Sequence, residues 1–375
     1  MEIPHPVSEF FDRYAGPTPH LLILLDKVQE KYDSLVQAMP QGKHHYAIKA
    51  NPDSDILRVL HRAGCFFECA SINEIDQCLM VGAAADTLLY GNPLKKASEI
   101  SEAFKRGVRQ FVFDAELELE KLIEHAPGAK VICRITTDGH GAVSPLSIKF
   151  GCPEDKAFTW LRKGHQQGLV PYGISFHTGS QQLDIQAWKA PIFSAARVFS
   201  RLNSEGFDSL EVLNIGGGFP VDYRSPVPKI SDFFRGITEN LCEAFAGNIP
   251  VIYTESGRYM AGDAGYILSE VVLVSPCHKR PKYRWVYLDI GRYGGLVESN
   301  IDYPMICEKS GPAGPVILAG QTCDSNDVIY TEAFNYQLPL SLAPGDRIIL
   351  AHTGVYTTTY STTLNGFPTL TSECI

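Results

Sequence analysis

The chain has 375 residues, 45% of them hydrophobic and 20% charged, and a formal net charge of −9. That length accommodates one large core plus a second, smaller one, and the composition is that of a soluble globular protein. The acidic balance argues against a nucleic-acid or anionic-membrane partner, and no apolar run approaches the ~20 residues that span a bilayer. Met1–Pro6 lacks a basic stretch followed by an apolar one, so no signal peptide is expected. Ten cysteines without C-x-x-C spacing suit a reduced, cytoplasmic setting.

From about residue 45 to 257 two periods alternate. Tyr46–Asn51 reads as a strand; Ile56, Leu57, Leu60 and Ala63 then recur at helical spacing until Gly64. Phe66–Ser71 is the next strand, and Ser71 with Glu74 forms a capping-box signature for the helix after it. Leu88–Asn92, Gln110–Asp114, Val131–Thr136, Gly173–Thr178, Val212–Gly218 and Val251–Ser256 follow as strands, with helical patterns between them. Eight such strands predict a (β/α)8 TIM barrel over residues 27–264. The alternative, an open doubly wound sheet, wants a G-x-G-x-x-G turn after the first strand, and none is present there. Beyond residue 264 the runs Gly265–Ser275, Trp285–Ile290, Pro315–Ala319 and Asp346–His352 are β-rich and broken by Gly, Pro and Asn. They predict a second, β-rich domain of sandwich or barrel type, formed by residues 1–26 and 265–375.

The strand ends carry the chemistry, because the carboxyl ends of barrel strands are where such folds place their sites. The first ends on Lys49, whose amine could form a Schiff base with an aldehyde cofactor. The fifth carries Arg134, and the sixth ends His177-Thr178-Gly179-Ser180. The seventh ends Gly216-Gly217-Gly218, a turn that lets backbone N–H groups approach a phosphate. The eighth ends Glu255-Ser256-Gly257-Arg258, offering a carboxylate for a pyridine nitrogen and a cation for a phosphate. His177 could stack on a ring. Taken singly, each has a plainer reading: a surface lysine, a tight turn, a satisfied core histidine, a Glu255–Arg258 surface pair. Together they describe a pyridoxal-phosphate site. No metal site is expected; His44 and His45, as neighbours on a strand, point to opposite faces.

Six ordered segments resemble the bacterial ornithine/lysine decarboxylases, pyridoxal-phosphate enzymes of the alanine-racemase-like fold. They are Tyr46–Pro52, Gly173–Gln182, Gly216–Pro220, Glu255–Arg258, Thr322–Ser325 and Gly354–Thr357, with Asn365-Gly366-Phe367 near the end. The resemblance implies that Lys49 is the Schiff-base lysine, that His177 stacks on the cofactor ring and that Glu255 partners its nitrogen. It implies phosphate ligands at Ser180, Gly216, Gly217, Gly218, Arg258 and Tyr356, with Arg134 and Gly257 in the same cofactor set. Cys323 looks like the acid that reprotonates the substrate carbon, and Asp324 like the grip on a distal ammonium. Both would come from the partner subunit of a homodimer, and the loop bearing Tyr293 would shape the substrate end. The implied reaction converts a basic L-amino acid, ornithine before lysine, to a diamine and carbon dioxide.

The chain departs from the family pattern in places. Ser256 and Gln321 stand where proline is usual, Glu68 where aspartate is common, and Ser299–Asp302 drift. Such changes suit a relative adapted to a modified or conjugated amino acid, for instance in siderophore or antibiotic biosynthesis. A diaminopimelate decarboxylase would want a glutamate beside the cysteine, a racemase a tyrosine in its place, and a non-catalytic regulatory homologue would be expected to lose part of the set.

Overall fold

A computed structural model describes residues 3–298 and 300–375. Met1, Glu2 and Ser299, which entered the readings of the N-terminus and of the drifting loop, lie outside the described residues. The chain divides into two units: Val28–Pro220 with Val227–Met260, and Met1–Lys27 with Val221–Pro226 and Ala261–Ile375.

The first unit is a closed barrel of eight parallel strands. They are β1 (Lys43–Ala47), β2 (Phe66–Cys69), β3 (Leu89–Tyr90), β4 (Gln110–Phe113), β5 (Lys130–Arg134), β6 (Val170–Ser175), β7 (Val212–Asn214) and β8 (Val251–Glu255). Each pairs with its sequence neighbour, and β8 closes on β1 with Glu255 opposite His45. Val112, Ile132, Val212, Tyr172 and Tyr253 from these strands pack as one buried cluster. The connecting helices follow local signals. Ser71 Oγ accepts from Glu74 N at 3.3 Å at one N-terminus. Gly64, at φ +87°, takes the left-handed conformation just past helix Ser54–Arg62.

Most of these strands stop short of the lengths read from sequence. Lys49 is not on β1, which ends at Ala47; it lies in a single 3-10 turn, Ile48–Ala50. His177 lies beyond β6, and Gly216–Gly218 lie beyond β7. The glycines explain the last case, because Gly216 and Gly218 have φ of +69° and +96°, outside strand geometry. Backbone bonding nevertheless runs on past the regular ladder. Phe176 N donates to Asn214 O, Ile215 N to Tyr253 O, and Glu255 N to Gly216 O, at 2.9–3.0 Å. The turns are therefore fastened to the barrel rim. From outside, Phe219 stacks on Trp188 at 5.1 Å and meets Phe233 and Phe234, and Trp188 Nε1 donates to Ile215 O. Fully burying each of these rings contributes ~1.5–3 kcal/mol, so the Gly-Gly-Gly-Phe segment is anchored at its aromatic end.

The second unit is a nine-stranded sheet. Its longest strand, Gly265–Pro276, pairs antiparallel with His20–Ile23, Arg347–Ala351 and Arg284–Leu288, and its register shifts between Val271 and Leu273. Val7 and Phe11 of helix His5–Arg13 pack with Leu22, Tyr266, Leu268 and Ile349. The sequence reading missed the short strands Met305–Cys307, Val328–Tyr330, Gln337–Pro339 and Thr371–Cys374.

Candidate active site

At the carboxyl ends of the barrel strands a cavity of about 250 Å³ is lined by Lys49, Glu68, Arg134, His177 and Glu255, among others. Ile48 and Ala50 are fully buried on either side of Lys49, so the packing of this turn leaves only the lysine side chain, 49% exposed, for the cavity mouth. Its Nζ lies 3.7 Å from Glu68 Oε2. Glycine makes the turn possible: a Cβ on Gly257 would stand 2.8 Å from Ala50 Cβ.

His177 Nδ1 accepts from Gly179 N at 2.9 Å. Burial, then the charges of Arg134 and Lys49, depress its pKa to about 3, so the imidazole is neutral. A Cβ on Gly216 would meet Phe176 O at 2.4 Å, one on Gly217 would meet Glu255 O at 2.3 Å, and one on Gly218 would meet Gly179 O at 2.3 Å. Three chain segments therefore meet backbone to backbone, which only glycine permits.

Glu255 Oε1 accepts from Asn214 Nδ2 at 2.7 Å, and Asn214 Oδ1 accepts from Gly216 N at 3.0 Å. Asn214 thus ties the carboxylate to the glycine turn, a residue the sequence reading passed over. Its signal was a polar residue at the end of an apolar strand, and it is completely buried. Arg258 Nε donates to Ser180 Oγ at 3.1 Å. Arg258, 5% exposed, is therefore engaged with the sixth-strand loop rather than lying on the surface. Arg134 ends β5, with its guanidinium 5.3 Å from the Phe150 ring centre; burial lowers its pKa. Lys149 and Phe150 also line the cavity and had no distinguishing pattern in sequence.

Ser256 explains one departure. Its N–H, which proline lacks, donates to His45 O at 3.0 Å and joins β8 to β1.

Cys323, Asp324, Tyr293 and Tyr356 belong to the β-rich unit. Within it, Tyr293 Oη donates to Asp324 Oδ2 at 2.9 Å, while Asn326 N and Nδ2 donate to Oδ1 at 2.8 and 3.1 Å. The Asn326 and Tyr293 donors hold the Asp324 carboxyl below its ordinary pKa. Cys323 is exposed, and its N–H donates to Asn365 Oδ1 at 3.0 Å. Gln321, the other replaced proline, donates through Nε2 to Asp289 O at 2.7 Å and so lashes the 321–326 loop to the loop bearing Tyr293. Tyr356 takes a φ of +56°.

The barrel set suits pyridoxal phosphate. It offers a half-exposed amine, a partly buried neutral imidazole, a carboxylate held by an amide, and an Arg–Ser donor pair. The glycine turn beside them has no room for side chains, the kind of tight backbone turn that suits a phosphate.

The comparisons with known proteins agree. A family described as pyridoxal-dependent decarboxylase, pyridoxal binding domain, matches residues 25–262. The lysine/ornithine decarboxylase of Selenomonas ruminantium is 33% identical over 95% of this chain and 90% of its own length. Antizyme inhibitor 2 of Xenopus laevis is 31% identical over 98% of this chain and 82% of its own. The crystal structure of the lysine/ornithine decarboxylase from Vibrio vulnificus complexed with cadaverine superposes with a TM-score of 0.87 at 29% identity, covering 99% of this chain and 98% of that one. Barrel, cofactor chemistry and relatives converge: the chain belongs to the ornithine/lysine decarboxylase family and is a pyridoxal-phosphate-dependent decarboxylase of basic amino acids.

Proposed function

We propose that the chain decarboxylates L-ornithine, with L-lysine the next substrate, as a homodimer with shared active sites. The observation that carries the substrate reading is Asp324. Beside Cys323 it offers a carboxylate held ionised by Asn326 and Tyr293, the complement of a distal ammonium. The diamine product would serve polyamine biosynthesis. Ten free cysteines support a reduced, cytoplasmic setting, and no helix among the described residues is long and apolar enough to cross a membrane.

Bound pyridoxal phosphate supplies an aldehyde that captures amines and a ring that takes up the electron pair left when carbon dioxide departs. Lys49, with its amine at the cavity mouth, would hold that aldehyde. The neutral His177 ring would pack beside the cofactor without adding charge. Glu255, oriented by Asn214, would keep the ring nitrogen protonated. Ser180, Arg258 and the N–H groups of Gly217 and Gly218 would hold the phosphate, with Gly257 giving the Arg258 turn its close approach and Arg134 adding positive charge. Cys323 delivers a proton to the substrate α carbon, and Asp324 and Tyr293 hold the far end of the substrate.

Purified protein incubated with ornithine, lysine, arginine, diaminopimelate and conjugated diamino acids, with carbon dioxide and amines measured by mass spectrometry, tests this. Ornithine turnover is expected to lead. Activity on a conjugate alone favours a siderophore- or antibiotic-type role, and silence on every diamino acid refutes the proposal. The likeness to an antizyme inhibitor raises a partner-binding reading. The complete set of Lys49, His177, Glu255, Arg258 and Cys323 weighs against it, and a visible absorbance band that borohydride bleaches would exclude it.

A further inference from the structure

We infer that Glu68 is the proton-exchange partner of Lys49, its carboxylate taking up the proton that the ammonium must shed before the amine can capture an aldehyde. The inference rests on Lys49 as the cofactor lysine and gives a role to a residue that reading leaves idle. Glu68 sits on β2 with its side chain 3% exposed and Oε2 3.7 Å from Lys49 Nζ. Among the described residues Oε2 is buried and receives no hydrogen bond. A buried carboxylate ordinarily collects donors, so an oxygen left bare toward a lysine calls for a function. Room is made for it: a Cβ on Gly91 would stand 2.2 Å from Glu68 Oε1, so only glycine there admits the glutamate arm.

The surroundings suit proton exchange. Burial, the largest influence, and the carboxylates of Glu255 and Glu74 raise the Glu68 pKa, Lys49 and Arg134 oppose them, and the outcome is about 7. Lys149 and His177 complete the cavity wall, His177 as a neutral ring. Its raised pKa brings Glu68 closer to neutrality than an ordinary carboxyl, which suits a proton acceptor. In the step an N–H bond of the Lys49 ammonium breaks with its electron pair staying on nitrogen, and an O–H bond forms on Glu68. An ion pair becomes a neutral pair, so no net charge is created in the cavity. The flexible four-carbon stem of lysine closes the remaining distance.

The test uses apoenzyme. Lys49 is trace-acetylated between about pH 5 and 10 and its labelling rate read by peptide mass; capture of added pyridoxal phosphate is followed by absorbance. Wild type is expected to show two steps, the first near pH 7, because the pair titrates as a unit. Glu68→Gln is expected to show a single step and to capture the cofactor about 10²-fold more slowly at neutral pH. Glu68→Asp, which keeps the carboxylate, retains two steps; their loss in that variant counts against the role. Superimposable wild-type and Glu68→Gln profiles, or equal capture rates, overturn it. Borohydride reduction and peptide mapping separate the failures. An adduct away from Lys49 removes the cofactor lysine itself, whereas an adduct on Lys49 with superimposable profiles removes only Glu68.

Discussion

Gly217→Ala isolates a steric requirement, because the methyl group is the only atom set added. Its Cβ would lie 2.3 Å from Glu255 O, where an ordinary C···O approach is about 3.3 Å. The turn or β8 must therefore move by roughly 1 Å, and the bond from Glu255 N to Gly216 O, 2.9 Å long, is strained or lost. Forced displacement in a packed region costs about 1–3 kcal/mol and a lost hydrogen bond about 1 more, so destabilisation of roughly 2–4 kcal/mol is expected. The shift also moves N–H groups proposed to bind phosphate, and misplacement on this scale weakens binding by about 10²-fold. Gly168→Ala is the control: its φ is +87° but nothing lies within 4 Å of an added Cβ. It should cost only about 1–2 kcal/mol of backbone strain and leave cofactor affinity unchanged. Urea unfolding of apoenzyme and equilibrium dialysis of pyridoxal phosphate supply both readouts. Equal cofactor affinity in Gly217→Ala and Gly168→Ala would refute the reasoning.

Asp324→Asn should raise KM for ornithine by about 10- to 150-fold, the worth of a charged hydrogen bond at ~1.5–3 kcal/mol, with kcat little changed; an unchanged KM would show that the distal amine is held elsewhere. Cys323→Ala should lower kcat by about 10²–10⁴-fold at unchanged cofactor affinity, as loss of a proton donor does, and a normal kcat removes Cys323 from the chemistry. In apoenzyme the His177 pKa falls to about 3, below the ordinary 6.5, so between those values the unfolded chain binds a proton the folded one refuses. His177 therefore lowers stability as pH falls through that window, by about 1.4 kcal/mol per pH unit, and is without effect above it. His177→Asn should flatten the acid side of the stability–pH curve by that slope; an unaltered slope contradicts the neutral, desolvated ring. Ser256→Pro removes the donor to His45 O and should cost about 1 kcal/mol in urea unfolding, and a stabilised variant would show that this bond is dispensable.

Local pattern carried the barrel. Helical spacing at Ile56, Leu57 and Leu60, the stop at Gly64 and the Ser71–Glu74 cap are short-range signals, and each recurs in the structure. Where strands stop was not local: Lys49 reads as the end of an apolar strand, yet β1 ends once Ala47 has paired with Glu68, its last partner in that register. The short strands of the β-rich unit, such as Val328–Tyr330, take their state from a neighbour rather than from their own periodicity. Segment order and residue type were likewise enough to nominate Lys49, His177 and Glu255, because a strand–turn–helix repeat sends successive carboxyl ends to one rim.

What one-dimensional information could not contain is which atoms lack partners and which touch. Asn214 matters because it bonds Glu255 and Gly216 at once. Glu68 matters because Gly91 clears space for it and, among the described residues, none donates a hydrogen bond to its Oε2. Composition, periodicity and motif order determined the barrel and its cofactor chemistry, since those depend on residue type and spacing along the chain. Hydrogen-bond partners, desolvation and the resulting acidities of His177 and Glu68 were decided only on folding, because burial and through-space charge belong to the arrangement of distant segments.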